Sequence, residues 1–512
     1  MIQGTSSHVG KSVVCTALCR IFKQDGYRVT PFKSQNMALN SYVTPEGGEI
    51  GRAQGVQAEA AGVPASVLMN PILLKPKADQ VAQVVVLGRP VADMSAQNYR
   101  HEYLPQAITI VKHALEELSR QYQVVVIEGA GSPAEVNLKD QDIANMKVAE
   151  LADAPVLLVA DIDRGGVFAS LVGTMELLTS TERDRVAGFI INKFRGDLSL
   201  LKPGLDWLEQ RTGKPVLGVI PYTRVEIEEE DSVALEELAA GRQRGRVDQP
   251  GREEGNIDIA VIMLPRISNF TDFDPLFREP QTRVRYVQRR DELGEPDVII
   301  LPGTKNTALD LLYLRESGLA EAIVTRAETG GMVVGICGGY QMLGKWLHDP
   351  ELVESDHAKL PGLGLLDVET VFAREKVTHQ VKARVVSGLS GWSALAGQRL
   401  TGYEIHMGKT TLGPMAQNLC LIEERSGKTV HETDGSVGLD GRVMGTYIHG
   451  LFDQPEFRRR WLNTLRMRKG WTPVEGEVDL DYRQLKEDRY DRLAAFFREH
   501  LDLKRIYDLL GL

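Results

Sequence analysis

Short, unbroken apolar runs separated by helix-length amphipathic segments organise the first half of this chain. Val124–Ile127, Val156–Ala160, Gly188–Ile191 and Val216–Ile220 are continuous apolar stretches. A strand buried on both faces has no polar positions to alternate with, so such runs predict a parallel sheet. The helical stretches between them predict cover on both sides. Residues 1–235 therefore read as a doubly wound α/β domain. The pattern breaks over 236–255 (EELAAGRQRGRVDQPGREEG), which is rich in Gly, Arg and Glu, lacks apolar periodicity and reads as a surface linker. A second α/β series follows with Ile257–Leu264, Asp297–Leu301 and Met332–Ile336. Beyond Phe372 the segments are shorter and alternate, which predicts antiparallel strands. The second domain thus spans 256–456. From Phe457 to Leu512 the chain turns helical and charged, and its last stretch predicts an amphipathic tail packed on the body.

Length supports this division, because 512 residues exceed what one hydrophobic core serves. With 43% hydrophobic and 25% charged residues the composition is that of a globular protein. The formal net charge is −10, with Lys and Arg scattered, so no nucleic-acid surface is expected. No apolar run has the length of a membrane span, and no secretory leader is visible. Four cysteines (Cys15, Cys19, Cys337 and Cys420) in so long a chain fit a reducing, cytoplasmic setting. Cys15 and Cys19, four apart on one helix face, have no partners at metal-ligand spacing and read as core residues.

Chemistry enters at the N-terminus. Gly4-Thr5-Ser-Ser-His-Val-Gly10-Lys11-Ser12 precedes the helix-like VVCTALCRIF. Glycines let successive backbone N–H groups face a phosphate. Lys11 reaches the terminal phosphates of ATP, and the Ser12 hydroxyl binds Mg²⁺. The following helix adds its positive end. Five residues separate Gly4 from the Gly-Lys pair, one more than the usual phosphate loop. Only three residues precede Gly4, which leaves room for a short first strand. Glu128 ends a buried apolar strand, where an acid costs desolvation unless something pairs with it. Asn192, Asp161 and Asp163 also sit at strand ends, where open α/β sheets collect ligands. The two aspartates read equally as metal or substrate contacts or as helix caps. The spacing G-T-S-S-x-V-G-K-S resembles the dethiobiotin synthetase group. That resemblance implies that Lys33 helps hold the phosphates, that Glu128 binds Mg²⁺ and that Asn192 contacts the adenine.

The second domain carries Gly335-Ile-Cys337-Gly338-Gly339 at the junction of an apolar strand and a helix. Flanking glycines permit a sharp turn that exposes the thiol, as at a nucleophile elbow. A base must come from a distant part of the chain. His449, after an apolar strand and before a Gly, is the first choice. His406, in Gly402-Tyr-Glu-Ile-His406-Met-Gly408, is the rival and a possible substrate contact. An oxyanion hole needs two backbone N–H groups, from Gly338 and from Gly303 in the Leu301-Pro-Gly303 loop. These features resemble triad-type glutamine amidotransferases. Many of those have an acid two residues after the histidine. Leu451 stands there instead, and Glu404 is the substitute considered.

A P-loop ligase domain followed by an amidotransferase domain is similar to the cobalamin-pathway amidases. Within them the chain resembles the cobyric acid synthase family. The resemblance rests on the phosphate loop together with Lys33-Ser-Gln-Asn-Met-Ala-Leu-Asn-Ser-Tyr42, Leu74-Lys-Pro-Lys77, Asp161-Ile-Asp163-Arg-Gly-Gly, Asn192-Lys-Phe-Arg-Gly-Asp197 and the Gly402–Gly408 segment. It implies glutamine as the nitrogen donor, ATP with Mg²⁺ as the activator and no tightly bound cofactor. The acceptor it implies is a corrinoid, adenosylcobyrinic acid a,c-diamide, amidated at its b, d, e and g carboxylates. The alternatives are an amidase of the a and c carboxylates, or a non-catalytic P-loop partner protein.

Overall fold

The structure is a computed structural model and describes residues 1–78, 81–95, 99, 103–223, 255–386, 388–389, 391–475 and 482–512. Apart from Gly255, the linker expected at 236–255 lies outside the described residues.

In the first unit Ile2–Gly4, Val156–Asp161, Val186–Phe194 and Val216–Pro221 lie side by side, all parallel. Val29–Phe32 pairs in parallel with Val124–Ile127. A bridge between Ile2 and Glu128 joins the two groups. Helix Lys11–Gln24 packs Val14, Leu18 and Ile21 on one face of the sheet, against Val159 and Ile190. Helix Val167–Leu177 covers the other face, where Leu171 and Met175 meet Leu158 and Phe189. Successive strand residues thus enter different cores, which is why the runs are apolar without alternation. Cys15 and Cys19 are fully buried in the first of these cores.

The sequence pattern did not reveal a second, smaller sheet in this unit. Gln35–Met37, Ile72–Ala78, Val81–Val86 and Arg89–Ser95 form it, the last three antiparallel. Leu74 and Val84 join one cluster, while Leu73 and Val85 join another with Ala38. Both faces of this hairpin are therefore covered.

In the second unit five parallel strands run in the order Thr282–Val287, Ile257–Ile262, Val298–Leu301, Met332–Ile336, Val443–Thr446. Antiparallel strands Lys428–Gly438, Gln417–Arg425, Val368–Val385 and Arg399–Leu412 extend the sheet, as the pattern after Phe372 predicts. Helix Pro455–Arg468 buries Phe457, Trp461 and Leu465 in this unit's core. The last two helices, Tyr482–His500 and Leu503–Leu510, return to the first unit. Tyr490, Leu493, Phe497 and Ile506 pack with Val14, Leu18 and Phe22. Arg20 holds that return with Asp491 at 2.6 Å and Glu487 at 2.7 Å. Among the described residues no helix is long and apolar enough to cross a membrane.

Candidate active sites

The phosphate loop leaves the first strand at Gly4 and enters helix Lys11–Gln24. Thr5 N donates to the Val159 carbonyl at 3.0 Å, anchoring the loop to the next strand. Gly10 has a φ of 102°, and a Cβ there would lie 2.2 Å from Asn192 Nδ2, so only glycine fits. Lys11 Nζ donates to the carbonyls of Ser6 at 2.9 Å and Gly131 at 3.0 Å. Ser12 Oγ donates to Glu128 Oε1 at 2.8 Å, and Lys33 Nζ reaches the same oxygen at 2.9 Å. Gln57 donates to Glu128 Oε2 at 2.6 Å. Burial pushes the Glu128 carboxyl upward, but Lys33, Gln57 and Ser12 outweigh it and hold the pKa below the usual value. Ser12 and Glu128 thus offer two hard oxygen donors side by side. That is a fitting set for Mg²⁺, which keeps its remaining positions for phosphate and water.

The other three strand-end residues surround the same loop. Asn192 donates to the Val9 carbonyl at 2.8 Å, so its amide nitrogen braces the phosphate loop. Asp161 pairs with Lys193 at 2.8 Å, and Lys193 also donates to the His8 carbonyl. Asp161 accepts from Asp163 N at 2.8 Å, and Asp163 pairs with Arg195 at 2.8 Å.

At the thiol site Cys337 has a φ of 54°, a strained value for a non-glycine residue, at the turn between strand Met332–Ile336 and helix Gly338–Leu343. The glycines are forced by close approach. A Cβ on Gly339 would lie 2.0 Å from the Leu301 carbonyl oxygen, and one on Gly338 would lie 2.6 Å from Thr304 Cγ2. The Gly303 loop is therefore pressed against the residues that follow Cys337. A Cβ on Gly303 would lie 3.0 Å from the His449 ring, so the loop abuts both groups. Cys337 Sγ lies 3.4 Å from the Ile405 carbonyl.

His449 is fully buried and its Nδ1 lies 2.6 Å from Asp272 Oδ2. Burial disfavours the imidazolium, but the Asp272 charge and hydrogen bond, with Cys337 as a further partner, raise the pKa to about 10. The other Asp272 oxygen accepts from Gly450 N at 3.1 Å. Tyr403 stacks on the ring at 5.0 Å, and backbone bonds link Tyr403 and His449 in both directions. Asp272 is the acid that sequence reasoning missed. Glu404, considered for that role, instead pairs with Arg425 at 2.5 Å, and burial raises its pKa to about 7. The reason is strand geometry. Strands Arg399–Leu412 and Gln417–Arg425 both pair with Val368–Val385, where Glu404 lies opposite His379 and Arg425 opposite Val381, so the arginine reaches Glu404 across the intervening strand. His406 stacks on Tyr447 at 3.7 Å, and its Nδ1 lies 3.1 Å from the Gly408 carbonyl. Burial pushes its pKa down to about 3, so it is a neutral ring.

The two sites are joined by the Lys33–Tyr42 stretch. Its start meets Glu128, while Ser41 N donates to Asn269 Oδ1 at 3.0 Å. The Asn269 side chain also lies 3.5 Å from His449 Nε2. Nearby, buried Glu49 pairs with Lys75 at 2.5 Å and with Lys376 of the second unit.

A phosphate-binding α/β unit joined to a Cys–His–Asp thiol unit defines a glutamine-dependent ligase. Comparison with known proteins agrees. The "CobQ/CobB/MinD/ParA nucleotide binding domain" family matches residues 1–233, and the "CobB/CobQ-like glutamine amidotransferase domain" family matches 258–457. The chain is 59% identical over its full length to a cobyric acid synthase of Desulforamulus reducens, covering 98% of that protein. It is 53% identical to one from Caldanaerobacter subterraneus, again over the full chain and 98% of the relative. A third, from Pelotomaculum thermopropionicum, is 53% identical over the full chain and 96% of its own length. The chain belongs to the cobyric acid synthase family. It is an ATP-dependent, glutamine-hydrolysing amidoligase.

Proposed function

We propose that this enzyme amidates the b, d, e and g carboxylates of adenosylcobyrinic acid a,c-diamide, with Cys337, His449 and Asp272 releasing ammonia from glutamine. The observation that carries the thiol assignment is a strained cysteine beside a buried histidine held 2.6 Å from an aspartate. Cys337 attacks the side-chain amide of glutamine, and backbone N–H groups of Gly303 and Gly338 receive the oxyanion. Protonated His449 delivers its proton to the departing ammonia, and Asp272 keeps the ring oriented while it is charged. Water then enters on the His449 side and releases glutamate from the thioester.

At the other site Gly4, Thr5 and Gly10 shape a backbone cradle for the ATP phosphates. Lys11 and Lys33 neutralise charge as the carboxylate attacks the γ-phosphate. Ammonia then displaces phosphate from the acyl phosphate. Mg²⁺, held by Ser12 and Glu128, would supply further neutralisation of the phosphate oxygens when bound. Asn192 flanks the nucleotide, its oxygen being left for the adenine. Asp161 and Asp163, tied to Lys193 and Arg195, serve as a charged border of this site, and His406 as a wall of the glutamine site. Four cysteines without a disulfide fit a reducing cytoplasmic compartment.

The test is Cys337→Ser assayed with each nitrogen source. Glutamine-dependent amidation is expected to vanish, with ammonium-dependent amidation retained. Survival of glutamine use would remove Cys337 from the mechanism. Wild-type enzyme that prefers the corrinoid lacking the a and c amides would overturn the acceptor.

A further inference from the structure

A cleft of about 520 Å³ opens beside the phosphate loop. One wall is the small antiparallel sheet, through Leu74, Pro76, Ala82, Val84 and Met94, completed by Tyr99. The opposite wall is the segment after Glu128, including Gly131, Ser132 and Asn145. Asn145 fixes that segment by accepting from Ala130 N at 3.2 Å and donating to the Ala130 carbonyl at 2.6 Å. The cleft is thus preformed, and its volume lies in the range of ligand sites.

Its position relative to the chemistry is defined. Gly131, which lines it, accepts a hydrogen bond from Lys11 at 3.0 Å. The inner end of the cleft therefore meets the amine that faces the terminal phosphate. In the sheet, Val124–Ile127, which leads into this segment, flanks the first strand on one side. Asn192, at the end of Val186–Phe194, lies beyond it on the other. A nucleotide lying toward Asn192 leaves the cleft open to the acceptor.

The hairpin alternates in what it touches. Leu74, Ala82 and Val84 line the cleft. Lys75 and Gln83, one residue away, lie on the other side, where Lys75 meets Glu49, itself paired with Lys376 of the second unit, and Gln83 accepts from Lys305 of that unit at 3.1 Å. One sheet therefore separates the cleft from the amidotransferase unit.

We propose that this cleft holds an edge of the corrinoid ring and presents one peripheral carboxylate to Lys11. The inference rests on the acceptor being a corrinoid, as argued above. An apolar wall suits a flat macrocycle whose polar groups sit on its rim. A polar inner end suits the one rim group that must meet the phosphate. A single apolar bed with one reactive end also suits an acceptor that must present several equivalent carboxylates in turn.

The test compares two substitutions on the small sheet. Ala82→Phe fills the cleft. Val91→Phe adds the same ring at an exposed position that does not line it. Equilibrium dialysis of the coloured a,c-diamide against the full-length enzyme gives the affinity. Steady-state assays give the KM for corrinoid and for ATP. Ala82→Phe is expected to weaken corrinoid binding about tenfold or more and to raise the corrinoid KM in parallel, with a smaller change for ATP. Val91→Phe is expected to bind as wild type. Normal binding by folded Ala82→Phe, or equal weakening by both variants, would overturn the assignment. Should Ala82→Phe fail to fold, Met94→Trp fills the same cleft and is read the same way. Wild-type enzyme that amidates the diamide while both cleft fillings bind normally sinks the cleft alone. Wild-type enzyme that does not amidate it sinks the acceptor reading.

Discussion

Asp272→Asn is the most informative single change in the thiol site. It keeps the shape of the side chain and removes its charge from a fully buried histidine 2.6 Å away. His449 is raised from 6.5 to about 10, although burial alone would lower it. At 1.36 kcal/mol per unit, the imidazolium is favoured by roughly 5 kcal/mol, a figure good only to its order. Without the carboxylate, burial is opposed only by Cys337 and draws the ring toward its neutral form. It can then accept a proton but holds none for the departing ammonia. The amide can also flip its nitrogen toward Nδ1 and select the wrong tautomer. The expected loss in glutamine-dependent kcat is on the order of 10²–10⁴-fold, the scale seen when a triad acid is neutralised. Amidation from ammonium should stay within about threefold, since the acceptor site is in the other unit. Stability gives a second reading. A folded pKa above the unfolded one means that the stabilisation is complete below pH ~6.5 and is lost as pH rises through about 10. Urea unfolding of wild type between pH 6.5 and 10 should show that decline, and Asp272→Asn should flatten it. A variant with wild-type glutamine-dependent kcat and an unchanged pH profile would refute the triad.

Two further changes probe what holds the units together. Glu49→Gln leaves Lys75 and Lys376 buried without their shared carboxylate, and should cost roughly 3–5 kcal/mol in urea unfolding at pH 7. Burial alone would raise the Glu49 pKa, but the two lysines hold it far below the usual value. The wild-type stabilisation is therefore present above pH ~4.5 and lost as pH falls below it. Phe497→Ala opens a cavity between helix Tyr482–His500 and the first unit, where Phe497 is 1% exposed, and should cost about 3–5 kcal/mol by denaturant unfolding. An unchanged midpoint would mean that the tail does not support that core.

What the sequence discloses and what it hides follow one physical line. Strands buried on both faces, such as Val156–Asp161 and Met332–Ile336, carry their own signature because every position meets a core. The phosphate loop and the Gly-flanked Cys337 are equally plain, since a Cβ on their glycines would lie within 3 Å of neighbouring atoms and the motifs keep glycine there. The small sheet is hidden. In its strands Lys75 and Gln83 are polar yet buried, because Lys75 meets Glu49, which is shared with Lys376 of the other unit, and Gln83 meets Lys305 of that unit instead of solvent. Read alone, such positions suggest an exposed face. Asp272 is hidden for a related reason. It lies in a single helical turn, Phe270–Phe273, 177 residues before its histidine, and no periodic pattern ties the two. Its signal was an acid between two phenylalanines in the loop that follows the strand Ile257–Ile262, where Asn269 takes a φ of 53° to start the turn. The acid absent beyond His449 was therefore a matter of chain order. Triad geometry fixes where the carboxylate must stand in space and leaves open which segment brings it there.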